Sequence, residues 1–520
     1  MLRTSTRRIR VNQYRPSLLL AIFFGLIAVS TSLAQNPSTQ DQSAKVAAHW
    51  DKVTGVSKTT ATLQVVVNPP LRRGSSIHDN AFKSLRDIQA DYVRYVPWLP
   101  YPKLGIAELE PPAEGKTSWD FSLIDPMTID FLDATKGHSV ILNFSTIPAW
   151  MFKTDKPVTY PADPDQPVWD YTQGTEPRDP TMKEIGDYYG RLFSWYTQGG
   201  FTDEFGKRHE SGYHYSIPYW EVLNEIEFEH KMSPETYTKI YDAVVESIRK
   251  VAPQTKFVGL ALAQPSLHPE QFEYFLNPKN HKPGIPLDFI SYHFYAVPTG
   301  DQNPTIQPYT FFAYADGFLS TVRYVETIRK RLSPNTKTTI DEIGAISADD
   351  LTQDQPGHVT QPIPSSYWNL TCAMYAYIFG ELTRMGVDVA GESQLVGYPT
   401  QFPSVSMVDW NTGKPNSRIR VLSLLRENFG PGDKIVETEP FNRSVDSYLY
   451  SLAVVKPDGK HRILLVNKRD RPFEITVPGA TGGQEDYVDQ TTGFDPPGSA
   501  KLTGEKFTLN GLGVAVVTLP

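Results

Sequence analysis

Two glutamates stand where extended runs of sequence stop. "WEVLNE" (220–225) ends in Asn224-Glu225, and "TTIDEIGA" (338–345) carries Glu342. Two carboxyl groups that flank one bond can cleave an acetal. One protonates the departing oxygen, and the other attacks the anomeric carbon or activates water, which is the chemistry of glycoside hydrolysis. A glutamate after a strand is also common as a solvated loop acid or as the first acid of a helix. The case for chemistry therefore rests on where the two runs are held. Asp341 is a rival to Glu342, but strand alternation sends neighbouring side chains to opposite faces, so only one of the two is expected in a shared site. Glu227 and Glu229 follow Glu225 in a stretch that reads as loop, and they are expected as rim acids.

From residue 59 to 430, short β-branched or aromatic runs alternate with helical stretches. "TLQVVVN" precedes "DNAFKSLRDIQ", "DYVRYV" precedes "SLIDPMTIDFLDAT", "SVILNF" precedes "TMKEIGDYYGRLFSWYTQ", and "YWEVLN" precedes "SPETYTKIYDAVVESIRKV". "KFVGLAL", "DFISYHF", "TKTTIDE" and "VDVAGESQL" begin four more such units. Eight strand–helix units in order predict an α/β fold, a (β/α)8 TIM barrel of parallel strands. Chemistry in that fold lies at the carboxyl ends of the strands, and Glu225 and Glu342 end the fourth and seventh, across the mouth from one another. Over 431–520 the helical pattern stops. Runs such as "SYLYSLAVV" and "GVAVVTLP" with Asp-Gly and Pro-Gly turns predict a C-terminal β-sandwich whose expected role is to support the barrel.

The first 34 residues hold Arg3, Arg7, Arg8, Arg10 and Arg15 with no acid, then an apolar run from Leu18 to Val29 and small residues before Ala34. This is the pattern of a signal peptide over 1–34. The apolar run is shorter than the roughly 20 residues a spanning helix needs, so no stable membrane anchor is expected, and the mature protein is placed in the periplasm or outside the cell. Residues 35–58 read as a polar leader or linker with the capacity to add a strand to the sandwich. Loss of the five arginines takes the formal net charge from −8 to −13, a balance that repels phosphate backbones and argues against nucleic acid as a partner. The single cysteine, Cys372, lies in the apolar run "NLTCAMYAYIFG", so no internal disulfide can form and a buried inert thiol is expected. No HExxH or similar ligand spacing and no G-x-S-x-G occurs, so neither metal-dependent nor serine-hydrolase chemistry is indicated, and no cofactor is implied.

Over residues 60–430, "WEVLNE", "LDFISYHFYA" and "IDEIGA" resemble the retaining glycosidases of clan A, and glycoside hydrolase family 39 in particular, which contains β-xylosidases and α-L-iduronidases. The resemblance implies Glu225 as general acid/base, Glu342 as nucleophile, and Asn224 as a partner of the sugar 2-hydroxyl. It also implies His293 and Tyr295 as pocket residues beside the nucleophile, and Arg94 as the cation that keeps the nucleophile a carboxylate. Two positions depart from the family pattern. Val96 stands where a histidine is common, which removes a polar pocket contact, and Ile226 stands where the acid/base glutamate is commonly followed by proline.

Sugars stack on aromatic faces, and Trp98, Trp150 and Trp410 fall where loops follow strands. Trp150 and Trp410 are the two expected beside the sugar. The expected partner is an oligo- or polysaccharide, with neutral sugars such as xylose or arabinose favoured because no loop offers an unambiguous cation for a substrate carboxylate. Two rival readings stay open: a non-catalytic carbohydrate-binding or scaffold protein on the same barrel, and an endo-acting glucanase of clan A.

Overall fold

Runs of Val, Ile, Leu and aromatic residues too short for a helix become strands once both faces can be buried, and eight of them here close on one another. A computed structural model describes residues 43–169, 174–298, 303, 306–355, 357–439 and 448–520. The expected signal peptide and residues 35–42 of the expected leader lie outside the described residues. The eight parallel strands are Thr60–Val66, Val93–Val96, Val140–Leu142, Tyr219–Glu221, Lys256–Leu262, Phe289–Ala296, Lys337–Ala345 and Val389–Glu392. They pair in chain order, and the last closes on the first through Val389 opposite Thr60. Helices such as His78–Ile88, Lys183–Thr197, Pro234–Arg249 and Ser365–Met385 form the outer layer. The architecture is the (β/α)8 barrel. A two-stranded hairpin, Gly200–Thr202 with Arg208–Glu210, is inserted before the fourth strand.

The strands depart from ideal alternation at the places that matter for the site. Between the sixth and seventh strands the register runs Ser291 with Thr339 and then His293 with Glu342, so the seventh strand spends three residues where its neighbour spends two. The same surplus is met on the other side, where Ile340 pairs with Ala390 and Ile343 with Glu392. An extra residue in one strand is a β-bulge, which bends the strand and re-aims its side chains. The eighth strand accepts this bulge because it carries Gly391 there. A Cβ on Gly391 would come within 2.9 Å of the Asp341 carbonyl oxygen.

After the barrel, the strands Lys434–Thr438, Leu449–Val455, His461–Asn467, Gln484–Val488, Gly498–Lys501 and Val514–Thr518 form one sheet, joined at its edge by Ala48–Val56 from before the barrel. The facing sheet is Ser43–Lys45, Phe473–Thr476 and Lys506–Leu509. One face of the larger sheet buries Leu452, Leu464, Val466 and Val516 in the same apolar core as the barrel helices, and the other closes on Phe473, Ile475 and Leu509. Arg384, near the end of the helix Ser365–Met385, donates to the Ser451 carbonyl at 2.9 Å. The sandwich is thus fastened to the barrel wall. No helix among the described residues is long and apolar enough to cross a membrane. Cys372 is fully buried, and burial pushes its thiol well above the usual cysteine range, as an inert core residue requires.

Gly391→Ala is expected to force the seventh strand off the bulge, costing about 1–3 kcal/mol of stability as overpacking does. Urea unfolding of the variant beside the parent checks this. An unchanged midpoint would mean the bulge is not constrained by its neighbour.

Candidate active site

The fourth strand ends at Glu221, and the chain then turns sharply into the short helix Ile226–Glu229. The turn is made by placing two non-glycine residues in the left-handed region, Leu223 at φ 64° and Glu225 at φ 41°. Such conformations cost roughly 1–3 kcal/mol each and persist where the surroundings over-determine them. Here the Glu225 amide donates to the Ala261 carbonyl at 2.8 Å, while its own carbonyl accepts from the Phe228 and Glu229 amides. The side chain is thereby fixed at the barrel mouth.

The bulge brings the second acid into place. Glu342 and Glu225 both line a cavity of about 440 Å³ at the carboxyl ends of the strands. One carboxylate oxygen of each glutamate and one ring nitrogen of His293 lie within 4.8 Å of one another. His293 Nδ1 is 3.0 Å from Glu225 Oε1 and 3.6 Å from Glu342 Oε2. Burial opposes a charge on His293, but Glu342, Asp341 and Glu225 together raise it well above the usual histidine range. A histidine between two glutamates is nominally a set of metal ligands. Nδ1 is engaged by Glu225 Oε1, and Nε2 lies 3.4 Å from Asp341 Oδ1 without a hydrogen bond.

Arg94 lies beneath, fully buried in the barrel interior. Its Nε donates to Glu221, Nη1 to Glu342 Oε1 at 2.5 Å and to Gln64 Oε1 at 2.8 Å, and Nη2 to Asn224 Oδ1 at 2.6 Å. Asp341 Oδ2 is an ion-pair contact at 3.3 Å. Despite the burial that opposes its charge, the acids Glu221, Asp341 and Glu342 keep Arg94 firmly protonated. Tyr295 donates to the other oxygen of Glu342 at 2.5 Å and sits 2.7 Å from Ser393 Oγ. Both oxygens of Glu342 are therefore oriented by donors. Among the residues expected from sequence, Asn224, Glu225, Tyr295 and Glu342 line the cavity, while Arg94 and His293 do not line it but contact those that do.

Four expectations are corrected. Trp150 does not line the cavity: its indole donates to the Glu108 carbonyl at 2.9 Å and its ring lies under Arg178 at 4.4 Å, which turns it toward the outer surface. Trp410 does not reach it either. It belongs to a turn held by Asp409, where the Thr412 carbonyl accepts from Asn80 on the first barrel helix. The aromatic groups that do line the cavity are Trp98, Phe228, Tyr295 and Phe402, with Trp98 and Phe402 stacked at 6.3 Å between centroids. Of Asp341 and Glu342 only Glu342 lines the cavity, as expected, but strand alternation is not the reason. The bulge breaks the alternation, and Arg94 touches both. Finally, Glu229 is no rim acid but is buried, its Oε1 accepting from Trp98 Nε1 at 2.6 Å and from Asn224 Nδ2 at 2.9 Å. Burial, then the charge of Glu225, raises Glu229 well above the usual carboxylate range. Glu227 is half-buried: one oxygen accepts from the Gln264 amide at 2.7 Å, the other is buried without a hydrogen bond, and burial raises the group above the usual carboxylate range.

Sequence reasoning passed over Glu221 and Gln64. Glu221 is fully buried and accepts from Arg94, Asn143 and Ser291, and burial together with Asp341 pushes it up to about 7 against the pull of Arg94. Its signal was present: a glutamate inside "YWEVLN" is a charge within an otherwise apolar strand, and such a charge needs a partner.

Residues 198–352 match the model of "Glycosyl hydrolases family 39", a span that contains Glu225, His293, Tyr295 and Glu342. The chain is a glycoside hydrolase that resembles family 39. Solved structures agree on the fold. The GH51 arabinofuranosidase from Xanthomonas axonopodis pv. citri is 13% identical with a TM-score of 0.61, covering 90% of this chain and 98% of its own. A GH30 endoxylanase from Clostridium papyrosolvens C71 is 12% identical with a TM-score of 0.53, covering 92% and 99%. A conserved exported protein from Bacteroides fragilis is 9% identical with a TM-score of 0.60, covering 92% and 100%. No curated protein sequence matches the chain.

Two outcomes follow for the hydrolase. Glu229→Ala leaves the Asn224 amide and the Trp98 indole without their shared acceptor, and it should lower kcat/KM by about 10–100-fold, the scale of a misplaced positioning group. Steady-state kinetics with a circular-dichroism check of the fold read this directly, and an unchanged kcat/KM would remove Glu229 from the site. The second concerns Glu108, whose carboxyl is fully buried without a hydrogen bond and is pushed up to about 8 by burial foremost. The folded state keeps a proton that the unfolded chain releases, so stability drains away as pH rises from the ordinary carboxylate range to about 8. Glu108→Gln should therefore raise Tm over the parent at pH 8 and leave it nearly equal at pH 5. Equal differences at both pH values would refute this.

Proposed function

We propose that the chain is a retaining glycosidase acting on neutral sugars by double displacement, with Glu342 as nucleophile and Glu225 as acid/base. The reading is carried by the spacing of the two carboxylates. Oxygens within 4.8 Å of one another fit the separation of about 5–5.5 Å used by retaining enzymes, and leave no room for the water that inverting enzymes hold between carboxyls about 6.5–9.5 Å apart. In the first step Glu225 gives its proton to the glycosidic oxygen as Glu342 bonds to the anomeric carbon and the alcohol departs. In the second, Glu225 takes a proton from water, which attacks the same carbon and releases Glu342. The donors from Arg94 and Tyr295 hold Glu342 in one orientation for both steps, so little reorganisation is needed at the moment of reaction.

A neutral sugar is favoured because no lysine or arginine lines the cavity among the described residues, and Arg94 spends its donors on protein partners. A substrate carboxylate would meet acids instead. The basic, then apolar, pattern of residues 1–34 supports export with cleavage after Ala34, which mass spectrometry of the mature protein would check.

The test is hydrolysis of a panel of aryl glycosides by the parent, Glu342→Ala and Glu225→Ala. The parent should cleave one sugar with retained anomeric configuration, Glu342→Ala should be inactive, and azide should restore rate to Glu225→Ala as a glycosyl azide of retained configuration. Inverted product would overturn the mechanism. Absence of any cleavage, with equal glycan binding by all three proteins, would replace it with the binding-protein reading.

A further inference from the structure

Arg94 decides more than the place of the nucleophile. A guanidinium only donates, so the Gln64 atom that it reaches at 2.8 Å is the oxygen of the side-chain amide, and the amide nitrogen is left to point the other way. There it donates to Ser393 Oγ at 2.8 Å. Ser393 is fully buried, and its hydroxyl has one further hydrogen-bond partner, the Tyr295 hydroxyl at 2.7 Å. The Tyr295 hydroxyl in turn lies 2.5 Å from Glu342 Oε2.

The direction of every bond in this chain follows from counting protons. The Gln64 nitrogen only donates, so Ser393 accepts from it and must give its own proton to Tyr295. The nucleophile as a carboxylate only accepts, so Tyr295 gives its proton to Glu342. In the opposite arrangement, with Tyr295 donating to Ser393, a phenol lone pair would face a carboxylate oxygen at 2.5 Å and the Ser393 proton would have no acceptor. Hydrogen bonds therefore run one way from Gln64 through Ser393 and Tyr295 to Glu342, and Arg94 closes the ring on the other oxygen of Glu342. Bonds in such a chain polarise one another, so the donation from Ser393 strengthens the one that Tyr295 makes. Burial, then the charge of Glu342, raises Tyr295 well above the usual tyrosine range, so it keeps the proton it donates.

Ser393 is itself pinned just past the eighth strand. Its amide donates to the Ile343 carbonyl at 3.0 Å, and its carbonyl accepts from Arg418, which is paired with Glu392 at 2.8 Å. It does not line the cavity, so whatever it contributes to the reaction travels through Tyr295.

We infer, resting on the glycosidase reading, that Ser393 is a positioning residue for the nucleophile. Directed by Arg94 through Gln64, it holds the Tyr295 hydroxyl as a donor to Glu342.

The experiment is steady-state kinetics, on the aryl glycoside that the panel identifies, of the parent, Ser393→Ala, Tyr295→Phe and the double variant, each with a circular-dichroism check of the fold. Tyr295→Phe should lower kcat by about 100-fold, the scale of losing one preorganised donor. Ser393→Ala should lower kcat by about 10-fold and leave KM within about twofold, because it weakens that donor without touching the sugar. In the Tyr295→Phe background Ser393→Ala should cost less than about twofold, since the hydroxyl it acts through is gone, whereas a serine that served packing alone would cost the same in both backgrounds. Ser393→Cys, which keeps the volume but donates weakly, carries the same cycle if the alanine variant does not fold. Equal losses in both backgrounds, a rise in KM with kcat unchanged, or full activity of Ser393→Ala each overturn the proposal and leave the glycosidase reading intact. Failure of every aryl glycoside in the panel overturns the glycosidase reading itself, and this proposal with it.

Discussion

One guanidinium holds the centre of this molecule together. Arg94, on the second strand, is bonded to Gln64 on the first, Glu221 on the fourth, Asn224 in the turn after it, and Glu342 on the seventh, with Asp341 close by. A buried cation of this kind is costly to desolvate, and so are the acids around it. They are tolerable together because each is the other's partner. The planar fork of arginine, with donors fixed at set angles, dictates where the carboxylates must lie, which a flexible lysine could not do. The geometry of the reacting pair is in this sense set from below. Glu342 is placed by Arg94 and Tyr295, and Glu225 by His293 and by its own strained turn.

The periodicity that made the barrel legible is also what hid part of the site. Eight alternating units could be counted from the sequence because burial of both faces of a parallel strand selects runs such as "KFVGLAL" and "SVILNF". The ends of the fourth and seventh strands followed from that count. Alternation within a strand then gave the wrong reason for setting Asp341 apart, because the bulge at 340–342 depends on Gly391 in the neighbouring strand, a pairing that no local pattern reveals. Glu229 was misplaced for a related reason. A four-residue helix is too short to show a period, yet it is this turn that folds Glu229 back under Asn224. The tryptophans failed differently: a residue type says that a side chain is large and amphipathic, whereas the choice between cavity and outer surface was made by an arginine and a carbonyl elsewhere in the chain.

The sandwich repeats the theme of distant partners. Its two sheets each take a strand from residues 43–56, so the segments before and after the barrel are woven into one body. The close approach of helix and sheet needs Gly380, where a Cβ would meet the Tyr450 ring at 2.5 Å. The helix Ser365–Met385 is therefore clamped on its outer side by the sandwich while its inner side supports the seventh and eighth strands, the pair that carries the bulge. Support of the barrel and placement of Glu342 are consequently one structural task.

The rigidity of the cavity floor follows from the same economy. A polar group that is already bonded to protein on two sides is rigid, and rigidity is what lets it orient a sugar without reorganising. It is also saturated, and so has little to offer a further ring of hydroxyls. The chain has spent buried donors and acceptors on Arg94, Asn224, Gln64 and Tyr295, so the floor beneath the two glutamates holds one arrangement.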